Sequence, residues 1–112
     1  SISRLTKINC LLVKKLLTNY YKKKIIIKKP NDLLINKKKI SGILQEIVSI
    51  FDSKFLIVGI GINIRKSPKI KNYPTTNLYD LTNKHFNKRE IENKLKLIFE
   101  TNFSKMYKVN KN

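Results

Sequence analysis

The residues best suited to bind a ligand lie in one stretch of the chain, residues 28–44. It opens with the polar corner Lys28-Lys29-Pro30-Asn31-Asp32, which follows an apolar run. Pro30 cannot donate to a sheet and favours an extended residue before it, so it marks the end of a strand. Corners at strand ends commonly carry binding groups on a rigid sheet. The Asn31 amide and the Asp32 carboxylate are therefore candidate binding groups, although both residue types also cap turns.

A second candidate is the segment Gly59-Ile60-Gly61-Ile62-Asn63, which ends an apolar run. Glycine inside a strand usually marks the close approach of a ligand or of another backbone. Sheet packing alone could explain either glycine. Two of them at alternate positions, just before the polar Asn63, favour a ligand.

Hydrophobic periodicity predicts the elements that position these groups. Apolar residues at helical spacing predict a helix over residues 3–21. Strands are predicted over residues 25–27, 32–35, 39–49 and 54–64, with a polar turn at residues 36–38. The β-branched first run indicates a buried strand. The last strand contains the uninterrupted apolar run Phe55-Leu56-Ile57-Val58, so we expect it to be central or covered on both faces.

The C-terminal part predicts a basic loop over residues 65–74, a helical turn within residues 75–82 and a helix beginning at Asn87. Asn87 can cap that helix, with Glu90 as the capping partner. His85, in the preceding loop, is expected at the surface. The apolar face of the helix comprises Ile91, Leu95, Ile98, Phe99, Phe103 and Met106. These elements predict an α/β (α+β) chain with a mixed or antiparallel sheet covered by helices.

Composition limits the class of protein. The net charge is +18, but 22 of the 25 basic residues are lysine and the chain has no alanine. A surface selected for nucleic acid should contain more arginine, so we expect no specific nucleic-acid binding. No run is long enough to span a membrane. The one cysteine, Cys10, is expected to be a buried apolar residue of the first helix and fits a reducing cytoplasm.

Three ordered blocks resemble the core signature of the biotin–protein ligases, a family related to lipoate ligases. The family shows a K-W-P-N-D corner, a K-[IL]-[AS]-G-I-L strand and a G-x-G-I-N strand. Here they stand as Lys28-Lys29-Pro30-Asn31-Asp32, Lys39-Ile40-Ser41-Gly42-Ile43-Leu44 and Gly59-Ile60-Gly61-Ile62-Asn63. Lys29 stands where the family usually has tryptophan, so a charged side chain replaces a large apolar ring beside the site.

The resemblance runs from about residue 5 to residue 107. It implies that residues 1–112 are a partial catalytic domain, without the Arg-Gly-rich loop and the strands of its N-terminal half and without a small C-terminal domain. The family reaction has two steps. The carboxylate of biotin attacks ATP to give biotinyl-AMP, and a lysine of a biotin carboxyl carrier protein then attacks that adenylate. The resemblance therefore implies ATP and biotin as substrates, Mg²⁺ as the metal and the carrier protein as partner, and it leaves a homodimer open.

The same resemblance assigns roles to individual residues. Lys39 would supply the positive charge that lets two anions meet, and Asp32 would orient and help to deprotonate the carrier lysine. Asn63 would read the adenine edge. Further substrate- or nucleotide-binding positions are Lys28, Asn31, Gly42, Ile43, Leu44, Gly59 and Gly61. The simpler interpretation makes Lys39 a turn lysine and leaves Asp32 and Asn63 as turn residues.

Three rival functions stay open. A lipoate or octanoate transferase would keep the fold and change the acid. A basic nucleic-acid-binding protein would carry out no chemistry. A non-catalytic remnant would keep the signature without the rest of the site.

Overall fold

The computed structural model describes the backbone of residues 2–111 and the side chains of residues 4–103. The strands form one antiparallel sheet in the order β1-β2-β3-β4. This confirms the predicted class, an α+β chain with an antiparallel sheet. The elements are α1 (Ile2–Leu17), β1 (Ile26–Lys28), β2 (Asp32–Ile35), β3 (Lys38–Ile50), β4 (Ser53–Ile62), α2 (Leu78–Thr82) and α3 (Lys88–Lys111).

Helix α1 covers one face of the sheet. Its apolar stripe, which includes Val13 and Leu16, is buried against Leu33 of β2 and Ile43 of β3. Cys10 is fully buried in the same cluster, as predicted. The helix ends at Leu17, four residues before the predicted end. The apolar pattern overestimated the length of the helix because Tyr21 is a core residue that lies after the helix. It follows the turn at residues 18–20.

The hairpin between β2 and β3 has the predicted polar turn. Asn36 and Lys37 both adopt left-handed backbone conformations, with φ of 51° and 64°, and Ile35 pairs with Lys38. Two successive residues at positive φ make the two-residue turn that matches the twist of an antiparallel hairpin.

A β-bulge on β3 sets the direction of Lys39. Alternation along a regular strand would place Lys39 and Gly42, three residues apart, on opposite faces of the sheet. The pairing shifts between Leu33 and Leu34, so that Leu34 opposes Lys39 while Leu33 opposes Ser41. Ile40 is the extra residue, and it is fully buried in the core. The bulge thereby brings Lys39 to the same face as Gly42.

The second face of the sheet is open among the described residues. Directly opposed residues of antiparallel strands share a face. The pairs Lys28–Asp32, Asp32–Gly42 and Gly42–Gly61 therefore share one face, opposite to that of Leu33 and α1. This open face carries most of the predicted site.

The open face corrects two predictions about burial. Strand β4 is neither central nor covered on both faces, because it lies at one edge of the sheet and Phe55 and Ile57 are about half exposed on the open face. The first run is likewise an edge strand, in which Ile25 is buried but Ile26 is 46% exposed. Both expectations assumed a covering layer on each face, whereas the helices of the described residues cover one.

The segment after β4 folds back onto the start of β3. The Lys39 N–H donates to the Pro74 carbonyl at 2.9 Å, and the Thr76 N–H donates to the Lys39 carbonyl at 2.9 Å. Residues 70–76, called here the strap, therefore run beside Lys39. The strap leads into α2, which is capped by the Asn77 side chain.

Helix α3 begins as predicted. The Asn87 side chain accepts the Glu90 N–H at 3.1 Å, while the Glu90 carboxylate pairs with Lys94 rather than returning to the cap. The predicted apolar face packs on the core through Ile91, Leu95, Ile98 and Phe99, and Phe103 stacks on Phe99. The side chain of Met106 lies outside the described residues.

His85 is exposed, as predicted, and stacks on Tyr79. Among the described residues, no helix combines the length and the hydropathy that a membrane crossing needs.

Candidate active site

A cavity of about 380 Å³ lies on the open face, between the polar corner, the bulge and the end of β4. Every predicted site residue except Lys28 lines it. Lys28 lies next to it, with its ammonium 4.6 Å from the centroid of the Tyr73 ring. The lining residues are Asn31, Asp32, Lys39, Ser41, Gly42, Ile43, Leu44, Gly59, Gly61, Asn63, Pro68 and Ile70.

Lys39 and Asp32 form an ion pair at the cavity. The Lys39 Nζ lies 3.3 Å from the Asp32 Oδ1, and both side chains are largely buried. The bulge supplies Lys39, and the corner supplies Asp32 at the first position of β2. The pair gives the cavity a cation that can stabilise developing negative charge and a carboxylate that can accept a proton.

Gly42 makes room for this pair. A Cβ atom at this position would lie 2.9 Å from the Lys39 Cε and 3.0 Å from its Nζ. The Lys39 side chain therefore crosses directly over the Gly42 backbone. A larger residue at position 42 would displace the lysine.

Tyr73, in the strap, completes the cluster, and it was missed by the sequence analysis. Its hydroxyl donates to the Asp32 Oδ2 at 2.5 Å, and the Lys39 Nζ lies 5.5 Å from its ring centroid. Burial raises the pKa of Tyr73 to about 12, and the hydrogen bond to Asp32 and the negative charge of Asp32 contribute to the rise. The hydroxyl is therefore protonated at neutral pH and acts as a donor. No spacing rule points to it, because the fold-back of the strap brings it to the site.

Asn31 fastens the corner to β3. Its Nδ2 donates to the Ile43 carbonyl at 2.5 Å, and the Ile43 N–H donates to the Asn31 carbonyl at 2.9 Å. The Lys29–Pro30 peptide bond of the corner is cis. The Ile43 side chain is 1% exposed within the core, so this residue serves the cavity through its backbone. The neighbouring Leu44 side chain is 74% exposed and forms an apolar edge of the cavity.

Asn63 joins β4 to the strap. Its Nδ2 donates to the Thr76 carbonyl at 3.0 Å and approaches the Lys39 carbonyl at 3.4 Å. Its N–H also donates to the Ile40 carbonyl at 2.9 Å. Since an amide nitrogen has two hydrogens, this leaves the Oδ1 as the group of Asn63 that can meet a ligand.

Gly59 and Gly61 form a flat floor on the open face, opposite Leu44 and Gly42 respectively. A Cβ atom at either position would meet its nearest neighbour at 3.8 or 4.0 Å, which is ordinary van der Waals contact. Packing among the described residues therefore does not require glycine at either position. A flat ligand lying against this floor does give a reason for it.

Two other chemistries do not fit the site. Burial, with a smaller effect from the Asp32 charge, raises the pKa of the Cys10 thiol, which makes it a poor nucleophile. Among the described residues, no three histidine, cysteine, aspartate or glutamate side chains come together as metal ligands. Asp32 is the one carboxylate among the described residues that line the cavity, and its two oxygens already have Lys39 and Tyr73 as partners. These side chains do not build a Mg²⁺ site of their own.

Solved structures share this arrangement of elements. Biotin protein ligase from Aquifex aeolicus, in complex with biotin and ATP, is 35% identical with a TM-score of 0.72, over 89% of this chain and 43% of that protein. Biotin protein ligase from Leishmania major, in complex with biotinyl-5-AMP, is 25% identical with a TM-score of 0.67. The match covers 84% of this chain and 44% of that protein. A P. falciparum protein in complex with lipoate is 24% identical with a TM-score of 0.56, over 94% and 32%, and supports the fold alone.

The chain thus spans less than half the length of these biotin ligases. The profile of the Biotin/lipoate A/B protein ligase family matches residues 5–63, which include the corner, the bulge and the glycine floor. With this match over more than half of its residues, the chain belongs to the Biotin/lipoate A/B protein ligase family.

Proposed function

We propose that this chain carries part of the active site of an ATP-dependent biotin–protein ligase, which forms biotinyl-AMP and transfers biotin to a lysine of a carrier protein. The observation that carries the proposal is the position of Lys39 over Gly42, paired with Asp32 and beside a glycine floor. Biotin ligases of similar structure bind biotin with ATP or bind the biotinyl adenylate.

Lys39 is the group suited to the first step. A carboxylate and a phosphate are both anions, so their approach needs a fixed positive charge at the point where they meet. In this structure the ammonium is balanced by Asp32 at 3.3 Å. Phosphate oxygens would compete with Asp32 for it, and the long lysine side chain allows that exchange without backbone movement. Lys28, on the same face, adds positive charge next to the cavity.

The floor and Asn63 are suited to the two substrates. Gly42, Gly59 and Gly61 let the fused rings of biotin lie flat against the backbone, with Leu44 as an apolar edge. Asn63 would accept a hydrogen bond from the adenine amino group through its Oδ1. A free amide can make two hydrogen bonds to the adenine edge, one through its oxygen and one through its nitrogen. Asn63 would make only the first, because its nitrogen already donates to the Thr76 carbonyl.

Mg²⁺ would have to enter mainly on the phosphates of ATP, since the described residues offer it no carboxylate cluster. The biotin ligases of similar structure are more than twice as long as the matched part. The proposal therefore concerns the polypeptide that the native cell produces, with whatever further residues or partner complete the site.

The test uses that native polypeptide, ATP and either biotin or lipoate. Mass spectrometry would follow the acyl-adenylate and then the mass of a carrier domain with one acceptor lysine. We expect adenylate and modified carrier with biotin, and little competition from an equal concentration of lipoate. Preferential use of lipoate would move the protein to the lipoate branch of the family. No adenylate with either acid would contradict the proposal.

A further inference from the structure

We propose that Tyr73 is a positioning residue for the transfer step, which holds the Asp32 carboxylate in the orientation that receives a proton from the acceptor lysine. This inference rests on the proposed ligase function. It begins with the two oxygens of Asp32, which have different partners. The Oδ1 faces the Lys39 ammonium at 3.3 Å, and the Oδ2 accepts the Tyr73 hydroxyl at 2.5 Å.

Contacts other than the one to Asp32 also hold Tyr73 in place. The backbone on either side of Tyr73 is fixed, because its own N–H donates to the Ile70 carbonyl at 3.1 Å and the next carbonyl, that of Pro74, accepts the Lys39 N–H at 2.9 Å. The Lys28 ammonium lies 4.6 Å from the ring centroid and adds a cation–π contact. The strap thus brings the hydroxyl to Asp32, and the hydroxyl then fixes the carboxylate.

This arrangement separates the tasks of the two oxygens. When Lys39 turns towards a phosphate, the Oδ1 loses its cation, while the Oδ2 keeps the hydrogen bond from Tyr73. The carboxylate therefore stays in place with one oxygen available to a new ammonium group. The incoming lysine of the carrier protein brings such a group, and it must lose a proton before it can attack.

The transfer step is then balanced as follows. The acceptor lysine gives one proton to the Asp32 Oδ1, and its neutral amine attacks the acyl carbon of the adenylate. The new C–N bond forms as the bond from the acyl carbon to the phosphate oxygen breaks, so that AMP leaves with the bonding electrons. The remaining extra proton on nitrogen and the proton on Asp32 pass to solvent.

The test compares Tyr73→Phe with wild type in the native polypeptide, with Tyr79→Phe as the matched control. Tyr79 lies on α2 and stacks on His85, outside the cavity. Adenylate formation is measured first, from the acid and ATP. Transfer is measured separately, in a single turnover from preformed adenylate to the carrier domain.

We expect Tyr73→Phe to slow transfer to the carrier lysine by about 10-fold, the scale of one hydrogen bond to a charged group, and to leave adenylate formation within about twofold. Hydroxylamine, whose nitrogen is already unprotonated at neutral pH, should react with the bound adenylate at equal rates in both proteins, since it needs no base. Tyr79→Phe should match wild type in all three assays.

Three results would overturn the inference. They are an unchanged transfer rate in Tyr73→Phe, an equal loss in both half-reactions, and an equal slowing with hydroxylamine. The last two would give Tyr73 a structural role only. Absence of adenylate in the wild-type protein would instead contradict the proposed function itself, so the two failures can be told apart.

Discussion

Gly42→Ala tests the geometry of the site most sharply, because its effects on the fold and on the chemistry should differ. The added methyl would lie 2.9 Å from the Lys39 Cε and 3.0 Å from its Nζ. Carbon atoms pack at about 3.5–4.0 Å, so the end of the lysine must move by roughly 1 Å. The atoms that must move belong to a flexible side chain, and the next nearest atom, the Asp32 Oδ1, is at 3.5 Å.

We therefore expect Gly42→Ala to change the free energy of unfolding by less than about 1 kcal/mol, because only the end of one flexible side chain has to move. The displaced ammonium should lower the rate of adenylate formation by about 100-fold, the loss that follows a misplacement of roughly 1 Å in an active site. Urea denaturation measures the first quantity, and acid-dependent release of pyrophosphate from ATP measures the second.

Gly61→Ala is the matched control, because a Cβ atom there meets nothing closer than 4.0 Å and does not approach Lys39. It should weaken binding of the acid on the floor while leaving the rate at saturating acid within a few-fold of wild type. A folded Gly42→Ala protein with normal adenylate formation would refute the reasoning that Lys39 must lie across Gly42.

Three further predictions follow from the strap and the hairpin. Asn63→Ala should weaken ATP binding more than biotin binding in calorimetric titrations. It should also lower the free energy of unfolding by about 1–2 kcal/mol, because the contacts of Asn63 to the strap are lost. Equal weakening of both ligands would argue against an adenine role. Lys37→Gly should raise the free energy of unfolding by about 1 kcal/mol in urea, because Lys37 has a φ of 64° in the turn; an unchanged midpoint would count against strain there. Since the pKa of Tyr73 is raised from 10.0 to about 12, the stabilising effect of its protonated hydroxyl is complete below pH 10 and is lost as the pH rises towards 12. Phenolate absorbance followed to high pH should show a late-titrating component that is missing in Tyr73→Phe; identical titration curves of the two proteins would contradict this.

Much of the fold could be predicted from local signals. The corner at Pro30, the turn at residues 36–38 and the cap at Asn87 each depend on a backbone or side-chain preference of a few residues, and each is present. Gly42, Gly59 and Gly61 were assigned to one site by the family resemblance alone, and the pairing of β3 with β4 brings them to one face of the sheet.

The parts that could not be predicted depend on long-range structure. The bulge that turns Lys39 towards Asp32 leaves no trace in the apolar pattern, since Ile40 reads as an ordinary strand residue. Tyr73 reaches Asp32 across 41 positions of sequence by the fold-back of the strap. The burial of β4 was overestimated for a related reason, because an apolar run shows that a face can be covered but does not show what covers it.

The measurement that tests the central claim most directly is ATP- and biotin-dependent formation of biotinyl-AMP by the native polypeptide and by two lysine variants. Lys39→Ala removes the charge at the cavity, and Lys38→Ala removes a neighbouring charge from an exposed position that does not line it. We predict that Lys38→Ala matches wild type and that Lys39→Ala loses roughly 100-fold or more of the rate while remaining folded. A folded Lys39→Ala protein that forms the adenylate at the wild-type rate would contradict the account.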